Sequence, residues 1–232
     1  MKIKILGTRG KLEASAPYHS LHSGLLVNND LLLDLGEKEF LDYNPTHIFF
    51  THLHSDHAFF VQPGQSVRID IPMSAPETYR APGIAIKKLT SHTKIGRYDI
   101  RPIPTVHSHE LPSQAYLISG GGKRFLYTGD MLWIKKWYHR YFRDINLVIT
   151  EASTIDPAGL IRRHEETGRS YGHAGIPRLV KLFSQFCGHL VLVHYGSWFY
   201  NDSRRAHRMI KDISRKNNVR LDAGYDNMEL EI

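Results

Sequence analysis

Histidine and aspartate residues are concentrated in one short stretch of the chain, Thr51–His57, which reads THLHSDH. This stretch directly follows the apolar run HIFF, which predicts a β-strand. Residues two apart in extended backbone point to the same side, so His52 and His54 can converge on one cation. Asp56 and His57 can then turn toward a second. Imidazole and carboxylate groups suit zinc and also manganese or iron, so the motif predicts a site for two divalent metal ions.

Three later residues, each at the end of an apolar run, add to this motif. TVHS contains His107, YTGD contains Asp130, and LVHYGS contains His194. The only cysteine is Cys187, so a metal must be held by His, Asp and Glu rather than by a cysteine cluster. Each residue is a weak signal alone, because a polar residue at a strand end is usually satisfied locally. Their joint order and spacing indicate one site.

The order of these segments resembles that of the metallo-β-lactamase superfamily, and the resemblance extends over nearly the whole chain. It implies an α/β fold, an αββα sandwich of two mixed β-sheets flanked by helices. It also implies a ligand set for each ion. The implied ligands of the first ion are His52, His54, His107 and one oxygen of Asp130. Those of the second ion are Asp56, His57, His194 and the other oxygen of Asp130.

Ligands drawn from separate segments leave an open position on each ion, which is typical of a catalytic rather than a structural site. A water between two ions about 4 Å apart would lose a proton near neutral pH and become the nucleophile. Asp56, as a ligand of this centre, counts among the catalytic residues. The resemblance therefore predicts a dinuclear metal-dependent hydrolase.

Three further segments resemble the ribonuclease Z-like phosphodiesterases and the cyclic phosphodiesterases of phosphonate breakdown. One is the ending GYDNMELEI, which resembles the last strand of both groups. LVITEAS places Glu151 at a strand end, and YGHAGIPRLVKLF places His173 just before a helix. The resemblance implies that Glu151 orients His173 and raises its pKa, so that His173 can protonate a leaving oxygen as a general acid. The alternative is that His173 caps its helix while Glu151 binds a surface arginine.

The chain also departs from both of these branches. The segment between His107 and Asp130 is too short for the flexible arm with which ribonuclease Z enzymes hold tRNA. One cysteine cannot form the cysteine cluster of the phosphonate-pathway enzymes. We therefore expect cleavage of small or cyclic phosphodiesters, or of nucleic-acid ends, by a metal-bridging hydroxide. The alternatives are a ribonuclease Z-like RNA-processing endonuclease, a lactone or thioester hydrolase on the same metal site, and a metal-binding scaffold without turnover.

Short apolar runs bounded by turn residues supply the strands that must position these residues. The predicted strands begin at Lys2, Gly24, Leu31, His47, Val67, Tyr98, Ala115, Lys123, Asn146 and His189. Asn28, Asn29 and Asp30 predict a tight hairpin between two of them. Helical spacing predicts one helix over 176–186 and a second that starts at 201–203. The length suits one domain, 1–232.

The chain is basic, with 30 Lys and Arg residues against 23 Asp and Glu and a formal charge of +7. This charge favours anionic partners such as RNA, although a merely solvated basic surface explains it equally well. The start of the chain lacks a signal-peptide pattern, so we expect a cytoplasmic protein with no membrane partner. Its expected partner is a small phosphodiester or a nucleic acid, and a homodimer is left open.

An aromatic and basic run lies between Asp130 and Glu151. Its members are Trp133, Lys135, Lys136, Trp137, Tyr138, Arg140, Tyr141 and Arg143. Such a run could stack bases and neutralise phosphates, but an amphipathic helix that packs its aromatic residues on the core explains it equally well. His109, two positions after His107, is a candidate for the rim of the site.

Overall fold

Two mixed β-sheets pack face to face in the computed structural model, which describes all residues 1–232. The strands of the first sheet are β1 (Lys2–Gly7), β2 (Gly24–Val27), β3 (Leu31–Leu33), β4 (His47–Phe49), β5 (Met73–Ala75), β6 (Tyr79–Ala81), β7 (Ile84–Lys88) and β18 (Glu229–Glu231). They lie in the order β18-β1-β2-β3-β4-β5-β7-β6. Strands β3, β4, β5 and β7 run parallel, and the other pairs are antiparallel.

The second sheet repeats this division into an antiparallel part and a parallel part. Its strands are β8 (Thr93–Ile95), β9 (Tyr98–Val106), β10 (Ser113–Gly120), β11 (Lys123–Tyr127), β12 (Trp133–Ile134), β13 (Leu147–Ala152), β16 (His189–Tyr195) and β17 (Arg220–Ala223). Their order is β12-β9-β10-β11-β13-β16-β17, with β8 also paired to β9. The last four strands in this order are parallel. A separate hairpin is formed by β14 (Leu160–Arg163) and β15 (Ser170–His173).

The α-helices all belong to the second half of the chain: α1 (Ile176–Phe183), α2 (Ser197–Asn201) and α3 (Ser203–Asn217). Apolar residues of α1 and α3 pack on the outer face of the second sheet. The outer face of the first sheet is covered instead by two short 3₁₀ helices, Lys38–Tyr43 and Phe59–Val61, and the loops around them. A third 3₁₀ helix spans Lys136–Tyr141. No helix combines the length and the apolar character needed to cross a membrane.

Between the sheets lies a core to which both contribute every second residue, as alternation along a strand requires. Ile3 and Phe49 come from the first sheet, and Ile118, Phe125 and Val191 come from the second. The sandwich predicted from the sequence is confirmed, with its α-helices on one side only. This packing fixes the two sheets against each other, and therefore fixes the loops that leave their strand ends.

Local sequence signals account for several element boundaries. Asn28 and Asn29 have φ of 48° and 58°, the left-handed conformation that a tight hairpin turn between β2 and β3 demands. Asp202 caps α3 by accepting a hydrogen bond from the Arg205 backbone N–H at 2.8 Å. The strand predicted to begin at Val67 is wrong. That segment makes one backbone hydrogen bond, which the Ile69 N–H donates to Gly83 O. It is followed by Pro72, which has no N–H to donate, so no ladder forms.

Candidate metal centre

All seven predicted ligands lie at one edge of the sandwich, beyond the ends of strands from both sheets. The segment Thr51–His57 follows β4, His107 follows β9, and Asp130 lies three residues after β11. His194 is near the end of β16. The carboxyl ends of parallel strands commonly form ligand sites, because loops leaving adjacent strands converge there. Six of the seven residues are buried and His54 is half-buried.

Three of the histidines form what we call the histidine cluster: His52, His54 and His107. His54 Nδ1 is 2.9 Å from His52 Nε2 and 3.3 Å from His107 Nε2. Asp130 Oδ2 lies 3.9 Å from His52 Nε2 and 3.6 Å from His107 Nε2. Zinc with bonds of about 2.0–2.1 Å in tetrahedral geometry holds its ligand atoms about 3.4 Å apart. These four atoms therefore enclose a space that fits one such cation.

The other four residues form the carboxylate cluster: Asp56, His57, Asp130 and His194. Asp130 Oδ1 is 3.3 Å from His57 Nε2 and 3.3 Å from His194 Nδ1. Asp56 Oδ2 is 2.9 Å from His194 Nε2 and 3.8 Å from His57 Nε2. The two oxygens of Asp130 thus face different clusters, which is the arrangement of a bridging ligand.

The surroundings of Asp130 indicate whether the residues of the two clusters suit a cation. Asp130 is 3% exposed, and its Oδ1 has no hydrogen-bond partner although two imidazole rings are within 3.3 Å. A buried carboxylate oxygen without a partner is costly, because it has lost its water and gained nothing in return. A divalent cation between the rings and this oxygen would satisfy it. The residues present therefore fit a metal centre.

The protonation of the rings differs between the two clusters. Burial lowers the pKa of His54 to about 4, and lowers the pKa values of His52 and His107 as well. The histidine cluster is therefore neutral, the form in which imidazole binds metal. In the carboxylate cluster, burial opposes charge, but nearby carboxylates outweigh it and raise the pKa values of His57 and His194.

A further aspartate, Asp34, supports the site from behind, although no role was predicted for it. Asp34 Oδ2 accepts hydrogen bonds from His57 Nδ1 at 2.8 Å and from the Tyr127 hydroxyl at 2.9 Å. Thr51 donates to it from its backbone N–H and its hydroxyl. An outer carboxylate of this kind fixes the ring so that Nε2 faces the metal. The available signal was an acidic residue directly after the buried run LLL.

Neutral groups lie beside three of the other rings, those of His52, His107 and His194. The Thr51 hydroxyl donates to Asp34 and so accepts from His52 Nδ1 at 3.1 Å. His107 is tied to the hairpin β14–β15: its Nδ1 lies 3.2 Å from Gly172 O, and its own O accepts from Gly172 N at 2.6 Å. The Ser153 hydroxyl is 3.1 Å from His194 Nδ1.

Glycine is required at two positions that shape the centre. Gly172 has φ of 118°, and a Cβ there would lie 1.9 Å from Leu160 O. Gly129, next to Asp130, has φ of 55°, and a Cβ there would lie 2.5 Å from the Thr51 side chain. Both backbones lie in the left-handed region that side chains disfavour. Any larger residue would displace a ligand or the chain that holds it.

Glu151 and His173 form a pair beside the clusters. His173 Nδ1 is 2.7 Å from Glu151 Oε2, and the ring centroids of His173 and His107 are 4.7 Å apart. Burial disfavours charge on His173, but the Glu151 carboxylate outweighs it and raises the His173 pKa to about 9. The alternative interpretation is wrong, because Gly175 is the N-cap of α1 and no side chain caps that helix.

Comparisons with known proteins can be set against this geometry. The family model described as the metallo-beta-lactamase superfamily matches residues 23–171. No curated protein matches the chain. Among solved structures, the metallo-beta-lactamase fold protein YhfI from Bacillus subtilis has a TM-score of 0.70 and 17% identity, with 100% of this chain and 99% of that chain covered.

Two other solved structures are similar over their whole length. A diphosphatase from the PhnP family has a TM-score of 0.66 and 14% identity, with coverage of 100% of this chain and 97% of that one. The short form of human tRNase Z has a TM-score of 0.64 and 18% identity, with coverage of 100% and 99%. Likeness at such low identity establishes the fold alone. The family match spans more than half of the sequence and includes six of the seven clustered ligands, so the chain belongs to the metallo-beta-lactamase superfamily and is a metal-dependent hydrolase.

Proposed function

We propose that this hydrolase is a phosphodiesterase that acts on small or cyclic phosphodiesters or on nucleic-acid ends. The observation that carries the proposal is the Glu151–His173 pair at 2.7 Å, beside the clusters but outside the predicted ligand set. An alkoxide is a poor leaving group and needs a proton as its bond to phosphorus breaks. A buried carboxylate that holds one ring nitrogen of a histidine suits that histidine to proton donation.

The two clusters are the sites proposed for a pair of divalent ions, with zinc the first choice and manganese or iron as alternatives. Bound there, the ions would supply positive charge that polarises the phosphate and lowers the pKa of water. The chain's own part is to hold the ligands rigidly. Asp34 and Thr51 do so from one side, and Gly172 from the other.

The proposed reaction consumes one water for each bond cleaved. The water oxygen bonds to phosphorus and releases a proton to solvent, and the bond from phosphorus to the alcohol oxygen breaks. The alcohol leaves with a proton from His173, which then takes up a proton from solvent. Glu151 keeps the His173 ring in place and stabilises the imidazolium before transfer. Its side chain is buried and also accepts a hydrogen bond from the Met131 backbone N–H, so it has little freedom to turn away.

Two of the structural neighbours are named as a diphosphatase and a tRNase Z. This supports the substrate class. The segment between His107 and Asp130 holds only the loop 108–112, the hairpin β10–β11 and two residues beyond it. No long arm projects from it. We therefore expect turnover of small phosphodiesters or short single strands, and poor processing of precursor tRNA.

A substrate screen tests the proposal directly. Protein loaded with zinc or manganese is assayed against bis-p-nitrophenyl phosphate, a cyclic nucleotide, a precursor tRNA and a panel of lactones. Turnover of the phosphodiesters is expected. Turnover of lactones alone would replace the proposal with acyl hydrolysis on the same centre. Efficient, position-specific cleavage of the precursor tRNA would make the protein a processing nuclease.

The role of His173 needs a more specific test. His173→Ala should retain both ions but lose about 10²- to 10⁴-fold in kcat/KM on alkyl phosphodiesters, the usual range for a general acid. Nitrophenyl esters need little protonation and should lose much less. His189→Ala is the matched control. His189, at the start of β16, forms an equivalent pair with Asp222 of β17, with 2.8 Å between His189 Nε2 and Asp222 Oδ2. Equal losses on both ester types would remove His173 from the acid role.

A further inference from the structure

A second cavity adjoins the one at the metal centre. The metal-centre cavity, about 530 Å³, is lined by His54, His107 and His173 among others. The second, which we call the side cavity, has a volume of about 660 Å³. Ser108 and His109 line both, so the two cavities meet across these residues. A substrate at the metal centre that passes Ser108 and His109 would enter the side cavity.

The side cavity contains an uncommon exposed tryptophan. Trp133 lies on β12, paired with Val106 of β9, and is 41% exposed. Both residues line the cavity, and the next residue after Val106 is the predicted ligand His107. Trp137, 64% exposed, differs because the Arg140 guanidinium lies 3.6 Å from its ring centroid and covers one face. Of the two, Trp133 is the indole that faces the cavity.

Basic side chains complete the side cavity. Lys135 and Arg169, both exposed, lie among its lining residues, and no carboxylate does. Ser108, Thr167 and Ser170 add hydroxyl groups. A lysine and an arginine on a wall without a carboxylate favour an anion, and both side chains bind phosphate.

Contacts between tilted aromatic rings link the walls of the side cavity. His109 lies 4.5 Å from Tyr171 and 5.0 Å from His164, measured between ring centroids. These contacts join the loop after β9 to the hairpin β14–β15, which also carries His173. The cavity is therefore a formed part of the structure, attached to the same hairpin as the proposed proton donor.

We propose that the side cavity binds a nucleotide portion of the substrate, with its base stacked on Trp133 and its phosphate between Lys135 and Arg169. Every base has a face that stacks on an aromatic side chain, and the volume is in the range of ordinary ligand pockets. This inference rests on the proposed function and narrows it. The phosphodiesters cleaved would be those of nucleotides rather than of simple alcohols.

The first experiment compares a dinucleotide that carries a terminal phosphate with its doubly abasic analogue, which keeps the same sugars, the same terminal phosphate and the same scissile bond. The zinc-loaded wild type should prefer the dinucleotide by about tenfold or more in kcat/KM, within the range measured for base stacking. Trp133→Ala should remove this preference, and Trp133→Phe should keep most of it. Trp137→Ala, the matched control, should keep all of it. A preference unchanged in Trp133→Ala would overturn the proposal.

The second experiment measures binding without turnover. Adenosine 5′-monophosphate should bind more tightly than ribose 5-phosphate by calorimetry, and Trp133→Ala should abolish the difference. Arg169→Gln should weaken both ligands. A short single strand that binds more tightly than the mononucleotide would identify a nucleic-acid end as the source of the ligand, whereas equal affinities would identify a free nucleotide.

The two proposals can fail separately. Base-dependent binding that requires Trp133, together with no hydrolysis of any phosphodiester, would support the side cavity and remove the proposed function. Hydrolysis of phosphodiesters with equal binding of the nucleotide and the sugar phosphate would support the proposed function and remove the side cavity.

Discussion

The histidine cluster and the carboxylate cluster lie side by side, but the groups that hold them differ in kind. His57 of the carboxylate cluster is backed by the buried carboxylate of Asp34. In the histidine cluster, His52 is backed by a hydroxyl and His107 by a backbone carbonyl. Hydrogen bonds to an ionised group are stronger than those between neutral groups. We therefore expect the ion in the carboxylate cluster to be bound more tightly than the ion in the histidine cluster.

The largest effect is expected where the two clusters meet, at Asp130. Asp130→Ala removes an oxygen from both clusters, so metal content should fall from two ions per chain toward none and turnover should reach background. Elemental analysis of protein kept away from chelators measures the first quantity. Asp99→Ala, which alters an exposed residue paired with His92, should change neither. Two ions and full turnover in the Asp130 variant would refute its bridging role.

Asp34→Asn should affect the metal affinities of the two clusters differently. It keeps the size of the side chain but removes the charge behind His57, so affinity for the ion of the carboxylate cluster should fall about 10- to 100-fold. Affinity for the other ion should fall less, because Asp34 reaches His52 only through the Thr51 hydroxyl. Competition with a chromophoric chelator resolves the two affinities. Asp30→Asn is a matched control, because Asp30 accepts a hydrogen bond from Tyr98 at 2.7 Å as Asp34 does from Tyr127. Equal weakening of both ions would contradict the comparison.

Gly172→Ala should act on the histidine cluster instead. Its Cβ would lie 1.9 Å from Leu160 O, so the hairpin must shift and take His107 with it. We expect about a tenfold loss of affinity for one ion, the lower end of the range for groups that support a ligand. Gly168→Ala provides the control: Gly168 also has positive φ, 63°, but its Cβ would meet nothing within 4 Å. Similar metal affinities in the two variants would show that the hairpin does not position His107.

The smallest effect is expected for Ser153→Ala, which removes the hydroxyl 3.1 Å from His194 Nδ1. A single neutral hydrogen bond corresponds to about a two- to tenfold change in an equilibrium constant. The change should appear in the affinity of the carboxylate cluster for its ion. It should be smaller than the change that Asp34→Asn causes. Ser119→Ala, at the far end of β10, should have no effect on metal affinity. A loss exceeding that of Asp34→Asn would reverse the order of importance of the two supports.

Most of the sandwich was predictable because its central strands are continuous apolar runs. The runs at Lys2, Leu31 and His189 became β1, β3 and β16. Eight short strands were not predicted: β5, β6, β7, β8, β12, β14, β15 and β17. Each has two to five residues, too few to carry a clear periodic signal. The first helix ends at Phe183 rather than at Phe186. Phe186 fits the helical spacing of apolar residues because it also packs on the core, but it does so from the turn that follows the helix.

For the candidate metal centre, the sequence identified the clustered residues that could hold ions but not those that support them. His52 and Asp130 could be found because histidine and aspartate after apolar strands are uncommon and chemically distinctive. Asp34 and Gly172 act through contacts across 23 and 65 positions of sequence, to His57 and His107 respectively. Such pairings depend on tertiary structure. The aromatic and basic run was ambiguous for the same reason, since Tyr138 and Tyr141 pack on the core whereas Trp133 lines a cavity.

The hairpin β14–β15 lies outside both sheets, and its turn projects into open space at Gly168. Extra residues inserted there would lengthen the hairpin without entering the core, because exposed loop tips tolerate insertion well. The same short element supports His107, carries His173 and walls the side cavity. Its turn is therefore a place where substrate range could be redesigned by grafting new sequence, with the two sheets left as an unchanged scaffold.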